Sequence, residues 1–335
     1  MANRAPIYEV DPEMNDEFEL GYESSGSAEL STVSLSNSVN EYLIENGRRY
    51  HSYFGTDKNP LPTDEIEQDR LDMHHEAMLL MQGGAMHLAP VEDPQRILDV
   101  GTGTGIWAIE MADRHPKAKV IGIDLSPIQP KWVPPNCHFR VDDAEYDWDF
   151  KHDYFDFIYM RNLAQGISNW PRLLQQAYRS TKPGGYAEIA DVGCEVFSDE
   201  SVLPDAHPVK RFFTCLEEAM CRIGRPPQME QSMRKYLEDA GFVDVVIKTM
   251  KQPLGPWPQE QRMREIGSLM YLNCETGFHA YGMAAFTRVL GMTTEEADTL
   301  CTESSRSIRE RTTRVYNLFH VAYGRKPRTS NLRCG

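Results

Sequence analysis

The residues best suited to chemistry lie in the run Asp99-Val100-Gly101-Thr102-Gly103-Thr104-Gly105-Ile106-Trp107. Alternate glycines let a backbone turn with positive φ and let a ligand approach where a Cβ would stand in the way. A helix that starts directly after such a loop offers unpaired N–H groups and the positive end of its dipole. Spacing separates the nucleotide-linked ligands that use loops of this kind. A dinucleotide fingerprint reads G-x-G-x-x-G, but Ile106 stands where its third glycine belongs. A phosphate-binding P-loop reads G-x-x-x-x-G-K-[ST], and neither that spacing nor the lysine is present. What remains is acid-x-G-x-G-x-G.

Four companions follow in order. Asp124 ends the run VIGID, where a carboxylate can accept from both hydroxyls of a ribose; such an acid is expected about 20 residues past the glycine loop. Asp142-Asp143-Ala144 follows CHFRV, and a carboxylate there can accept from an adenine exocyclic amine. FDFIYMRN and then Lys182-Pro183-Gly184-Gly185 complete the series. A lone acid at a strand end is commonly a helix cap or a solvated turn. Four such features in order, each at a strand end, point to one ligand site.

The elements that must position these residues can be read from periodicity. Short apolar runs predict strands at 96–100, 119–123, 137–141, 155–160 and 186–191, with helices at 106–114 and 170–180 between them. The first of these helices is expected to bury Ile106, Ile109 and Ala112. Strands alternating with helices indicate a doubly wound, mainly parallel α/β sheet. Upstream, Asp64 and Glu67 form a capping-box-like start. Ile66, Leu71, His74, Met78 and Met81 then recur at helical spacing up to Gly83-Gly84. Of His74 and His75, one is expected to face the core and one solvent. Segment 41–60 shows aromatics among polar residues. Downstream, helices are expected at about 208–223, 228–240, 258–274 and 294–310, with strands at 242–250 and 316–323.

The 335 residues carry 50 acidic and 35 basic side chains, a formal charge of −15. That balance argues against direct binding of nucleic acid, whose phosphates call for Lys and Arg. The charge is uneven: residues 1–40 hold eight acids and one base, whereas 301–335 hold eight bases and two acids. The serine-rich acidic stretch 1–40 is expected to be a disordered tail, because it has too little apolar area to offset its ordering entropy. Seven scattered cysteines without CxxC or zinc spacing read as reduced thiols, and no metal site is expected. No secretory signal and no membrane-length apolar run are seen, so a cytoplasmic location is expected.

Residues 46–330 resemble the LaeA-like branch of fungal class I S-adenosylmethionine-dependent methyltransferases. The matching stretches include ENGRRYHSY, LPTDEIEQDRLDMHH, ILDVGTGTGIWAIEMA, VIGIDLSPIQPKWVPPNCHF, NWPRLLQQAYRSTKPGGYAEI and HVAYGRKP. The resemblance implies a seven-stranded Rossmann-like sheet with a helical cap. It divides the chain into the tail 1–40, an N-terminal cap segment 41–85, a cofactor-binding core 86–195, and cap helices with the last two strands at 196–330. S-adenosylmethionine is implied as methyl donor, held by Asp99, Gly101, Thr102, Gly103, Asp124, Leu125, Asp143, Ala144 and Met160. Two departures stand out: Asp191 where members often have Glu, and GTGTG where the regulator that names the branch has GCGTG.

Methyl transfer is an in-line displacement, so the protein's task is alignment and exclusion of water. A base is needed only for an acceptor that must lose a proton. His51 is the favoured base, because its YHSY segment is expected to lie over the cofactor. Tyr50, Tyr53, Trp257 and Tyr271 are the expected substrate contacts. The expected partner is a small molecule, a fungal secondary metabolite, with no membrane. The alternative is a nuclear regulator of secondary-metabolite genes, which would bring protein partners. Arg325-Lys326-Pro327-Arg328 fits either a short import signal or a solvated tail.

Overall fold

The computed structural model describes residues 41–199, 202–310 and 314–328, so the expected acidic tail 1–40 lies outside the described residues. The first ordered element is a hairpin, β1 (Tyr42–Glu45) and β2 (Arg48–His51), in the segment that sequence periodicity left unassigned. The signal was Asn46-Gly47. Both residues take positive φ (48° and 74°), the mirror-image turn that matches the twist of a two-residue hairpin.

Helix α1 (Glu65–Met81) begins where expected: Asp64 accepts the Glu67 N–H, and Gly83 and Gly84 follow its end at positive φ. Its buried face differs from the apolar pattern. Ile66 is exposed, whereas Glu67, Arg70, His74, His75, Ala77, Met78 and Met81 are buried. The core side of this helix is therefore partly polar, and both histidines are inside.

The alternating region follows the sequence reading. β3 (Arg96–Val100), α2 (Ile106–Arg114), β4 (Lys119–Asp124), β5 (Cys137–Val141), β6 (Phe155–Arg161), α3 (Trp170–Ser180) and β7 (Thr181–Val192) form in turn. β8 (Phe197–Ser198), α4 (Pro208–Arg222), α5 (Glu230–Ala240) and β9 (Val243–Pro253) come next. α6 (Gln261–Ala284) runs on through a π-helical turn (Ala285–Val289) to α7 (Thr294–Arg309) and β10 (Val315–Arg325). α6 thus ends ten residues later than expected; Gly277 and Gly282 let it pass close to Arg70 and Phe212 without breaking. On α2 the buried residues are Trp107, Ala108, Met111 and Ala112 rather than the Ile106 and Ile109 stripe. Trp107 turns the helix: its indole is fully buried, stacks on Tyr159 at 4.0 Å, and donates to the Met86 carbonyl at 2.8 Å.

The long strands pair in the order β5-β4-β3-β6-β7-β10-β9, with the short β8 also on β10. β3 to β7 are parallel, and β10 runs antiparallel between β7 and β9. The chain steps outward from β3 to β5 and then crosses back to β6. The carboxyl ends of β3 and β6 therefore flank the switch point, where open α/β sheets bind ligands. α1, α4, α6 and α7 pack on one another as a cap, with their own apolar cluster around Phe212, Phe278 and Phe286. Among the described residues no helix is long and apolar enough to cross a membrane.

Candidate active site

The glycine loop has the shape its sequence requires. Gly101, Gly103 and Gly105 all take left-handed φ (67°, 58° and 81°). A Cβ on Gly101 would lie 2.1 Å from Leu163 Cδ2, and one on Gly105 would lie 2.4 Å from Phe139 Cζ. Gly103 differs: only Leu71, at 3.8 Å, comes near, so open space lies before it. α2 starts at Gly105 with no side-chain cap, which leaves its N-terminal amides to a ligand. Asp99 is buried and accepts from Thr102 Oγ1 at 2.6 Å. Asp124 accepts from Gly103 N–H at 2.8 Å and Ser126 N–H at 3.0 Å. Burial pushes both carboxyls up to about 6. Two carboxylates destabilised by burial beside an open glycine cradle fit a cationic, ribose-bearing cofactor.

The other expected contacts sit around this loop. Leu125 follows Asp124 and is half-buried. Asp143 is 3% exposed; its Oδ1 accepts the Glu145 N–H, and its Oδ2 is 2.8 Å from Lys58 Nζ. A contact from Asp143 to an adenine amine would share the carboxylate with this lysine. Ala144 is half-buried, its carbonyl accepting from the Trp148 indole. Met160 is fully buried in the sheet core with Leu98 and Val100, so the residues that emerge at the end of β6 are Arg161 and Asn162.

α1 stands between this loop and a second space. Leu71 approaches Gly103, Asp72 accepts from Thr104 Oγ1 at 2.6 Å, and His75 contacts Glu110 at 3.2 Å. Burial and Arg161 push His75 down to about 3, so the ring is neutral: Nδ1 accepts from Arg161 and Nε2 donates to Glu110. On the same helix, Arg70 and His74 line a cavity that is partly open to solvent. Its walls come from α1, α4, α6, the end of β9 and the segments after β6 and β7. Asn162 and Ala164 line it, and Leu163 between them packs on Gly101. The cavity thus meets the glycine loop through three consecutive residues.

Apolar walls enclose a few polar groups. Arg70 is neutralised by Glu67 through contacts of 2.8 and 2.6 Å, bonds Asn273 Oδ1 at 3.2 Å, and lies over the Tyr281 ring. Burial, with Arg70 and Arg161 nearby, holds His74 well below its ordinary range. Its nitrogens face the amides of Asn162 (3.4 Å) and Gln252 (3.0 Å). A neutral ring has one acceptor nitrogen, so it accepts from only one of these amide nitrogens at a time. Asp191 accepts from the N–H groups of Ala164 and Val192, both at 2.9 Å, and burial pushes it up to about 7.

None of the side chains expected to meet substrate lines this cavity. Tyr50 is fully buried under the Arg288 guanidinium. Tyr53 packs edge-on against Phe54. Trp257 donates to the Val315 carbonyl. Tyr271 is half-buried against the cap cluster. His51 is also elsewhere: its Nε2 accepts the Phe54 N–H at 2.9 Å, and burial lowers its pKa. That bond holds the 52–54 turn, and Asp143 is the charged group that acts on the ring. Arg70, Asn162, Arg225, Gln252, Asn273 and Asn317 line the cavity and were not singled out from sequence. For α1 a signal existed, since polar residues occupy the helical positions of a buried face. For the others none did, because their helices and strands meet only in the folded chain.

Comparison with known proteins agrees with this geometry. The family model described as a methyltransferase domain matches residues 73–247. The methyltransferase pytC of Aspergillus terreus is 44% identical over 275 residues, covering 81% of this chain and 84% of that protein. The secondary metabolism regulator LAE1 of Cochliobolus heterostrophus is 36% identical over 295 residues, covering 86% and 96%. The protein-methionine methyltransferase laeA of Emericella nidulans is 32% identical over 307 residues, covering 90% and 82%. With its glycine cradle, paired carboxylates and switch-point sheet, the chain belongs to the methyltransferase-domain family and is an S-adenosylmethionine-dependent methyltransferase.

Proposed function

We propose that this enzyme methylates a small, largely apolar molecule of fungal secondary metabolism, bound in the cavity beneath the cap. The observation that carries the reading is the shared segment Asn162-Leu163-Ala164. It packs on the glycine loop at Leu163 and lines the cavity on either side of that residue. Apolar walls with a few convergent polar groups suit an apolar ligand with polar anchors.

When bound, S-adenosylmethionine supplies an electrophilic methyl carbon and a neutral thioether leaving group. The chain supplies position and a dry environment: Gly101 to Gly105 and Asp124 hold one partner, and the cap walls hold the other. An acceptor with a proton to lose needs a base. Asp191 is the group in the cavity whose pKa, about 7, matches that task at neutral pH. Its two oxygens are already aimed by backbone N–H groups, which leaves lone pairs for the acceptor. His74, neutral and held between two amides, orients rather than titrates.

A second reading, a regulator whose acceptor is a protein side chain, is favoured by the names of the LAE1 and laeA relatives. The basic stretch near the C-terminus does not add to it. Arg325 pairs with Asp244 at 2.6 Å, and Lys326 reaches Asp153 and the Tyr178 carbonyl, both at 2.7 Å. Both side chains are thus paired on the surface of the fold. Comparing extracted metabolites from strains with and without the gene tests the choice. One compound lighter by a methyl group in the deletion strain supports a pathway enzyme; loss of many unrelated compounds sinks that reading in favour of a regulator.

A further inference from the structure

Arg225, in the loop after α4, is a cavity-lining cation whose charge no neighbour satisfies directly. It is 6% exposed, so water does little for it. Its Nη1 donates to the Asp57 carbonyl at 2.9 Å, and its buried Nε has no partner. Among the described residues no carboxylate lies within 4.0 Å of it as an ion pair. The nearest acidic influences are Glu145, Asp57 and Asp143. Of these, Asp143 and Glu145 are engaged by Lys58, at 2.8 and 3.5 Å. The contrast with Arg70, which lines the same cavity, is instructive: its guanidinium is matched by both oxygens of Glu67. A buried guanidinium left without a counter-ion is costly unless something completes it.

Resting on the reading of this cavity as the acceptor site, we infer that the acceptor is a small-molecule carboxylic acid whose carboxylate is recognised by Arg225. The apolar body lies among Phe212, Leu216, Met220, Met270 and Phe278, and the carboxylate completes the Arg225 guanidinium. Guanidinium and carboxylate match in shape and charge, which makes Arg the natural reader of this group. Arg225 is then a specificity residue. It fixes which end of the molecule enters which side of the cavity, while Asp191 lies at the sheet edge near the reacting centre.

The test uses the full chain loaded with S-adenosylhomocysteine and a panel of matched apolar acids and primary amides: octanoic, 4-phenylbutanoic and indole-3-propanoic acid with their amides. Binding is measured by calorimetry. For at least one pair the acid is expected to bind about ten-fold or more tighter than its amide. Arg225→Gln should bring that pair to parity, and Arg225→Lys should keep part of the preference, with S-adenosylhomocysteine affinity unchanged in both. Acids and amides that bind wild type alike overturn the inference, and so does a preference that survives Arg225→Gln. If Arg225→Gln fails to bind S-adenosylhomocysteine, the wild-type pairs and Arg225→Lys decide. If no acid and no amide binds at all, the small-molecule reading of the cavity is what fails, and the carboxylate preference falls with it.

Discussion

Asp124→Asn separates a ligand-binding carboxylate from a merely structural one, because the two roles predict opposite signs. Asp124 is the acid expected to take the ribose hydroxyls, and its pKa is pushed from 3.8 up to about 6 by burial. A carboxyl whose folded pKa is raised adds stability that is complete below its unfolded pKa and is lost as pH rises through the folded value. At pH 7.5 the charged form therefore weakens the ligand-free fold, by no more than ~3 kcal/mol, and by less to the extent that water reaches this half-buried group. Asparagine removes that strain. It keeps one acceptor oxygen for Gly103 N–H or Ser126 N–H and gives up the other, at a cost of about 1 kcal/mol. The ligand-free variant should thus melt no lower than wild type at pH 7.5. Cofactor binding should move the other way. Losing charge-assisted bonds to a ribose is worth about 1.5–3 kcal/mol, or roughly 10- to 150-fold in Kd. Wild-type affinity should also fall as pH drops below about 6, since a protonated Asp124 accepts poorly. Calorimetric titration with S-adenosylhomocysteine from pH 5 to 8, beside thermal melts of the ligand-free proteins, measures both. A Kd within about three-fold of wild type at pH 7.5 would refute the ribose assignment. A clear fall in the ligand-free melting temperature would show that the carboxylate chiefly supports the loop.

Asp191→Asn should lower kcat by about 100-fold or more while leaving S-adenosylhomocysteine affinity unchanged, and wild-type kcat should rise with pH through about 7; a pH-independent kcat would show that Asp191 is not the base. Glu67→Ala should cost about 3–5 kcal/mol, because it strands the buried Arg70 guanidinium, and denaturant melts would reveal a smaller loss if water enters instead. Gly105→Ala should destabilise by about 2 kcal/mol or more, since it strains a left-handed residue and drives a methyl into Phe139; an unchanged midpoint would mean that the loop can refit.

Sequence alone determined the sheet and the glycine loop at its switch point. Buried parallel strands must be continuous apolar runs, and helix ends must carry caps, so element order could be read from local patterns. The glycine loop was legible for a similar reason: Gly101, Gly103 and Gly105 each answer to a local backbone conformation, and Asp124 follows at a fixed distance along one β-α-β unit. The hairpin is also written locally, in the positive-φ pair Asn46-Gly47. What only the tertiary structure decided is the cavity under the cap helices. Its walls join Arg70, Asn162, Asp191, Arg225 and Gln252, residues far apart in the chain, and aromatic content drew attention instead to Tyr50, Tyr53, Trp257 and Tyr271. For α1 and α2 periodicity located the helix but not its buried face, and it cannot tell burial against another helix from burial around an empty space. That distinction is set by how the cap helices cross, and so by contacts between segments that no local pattern records.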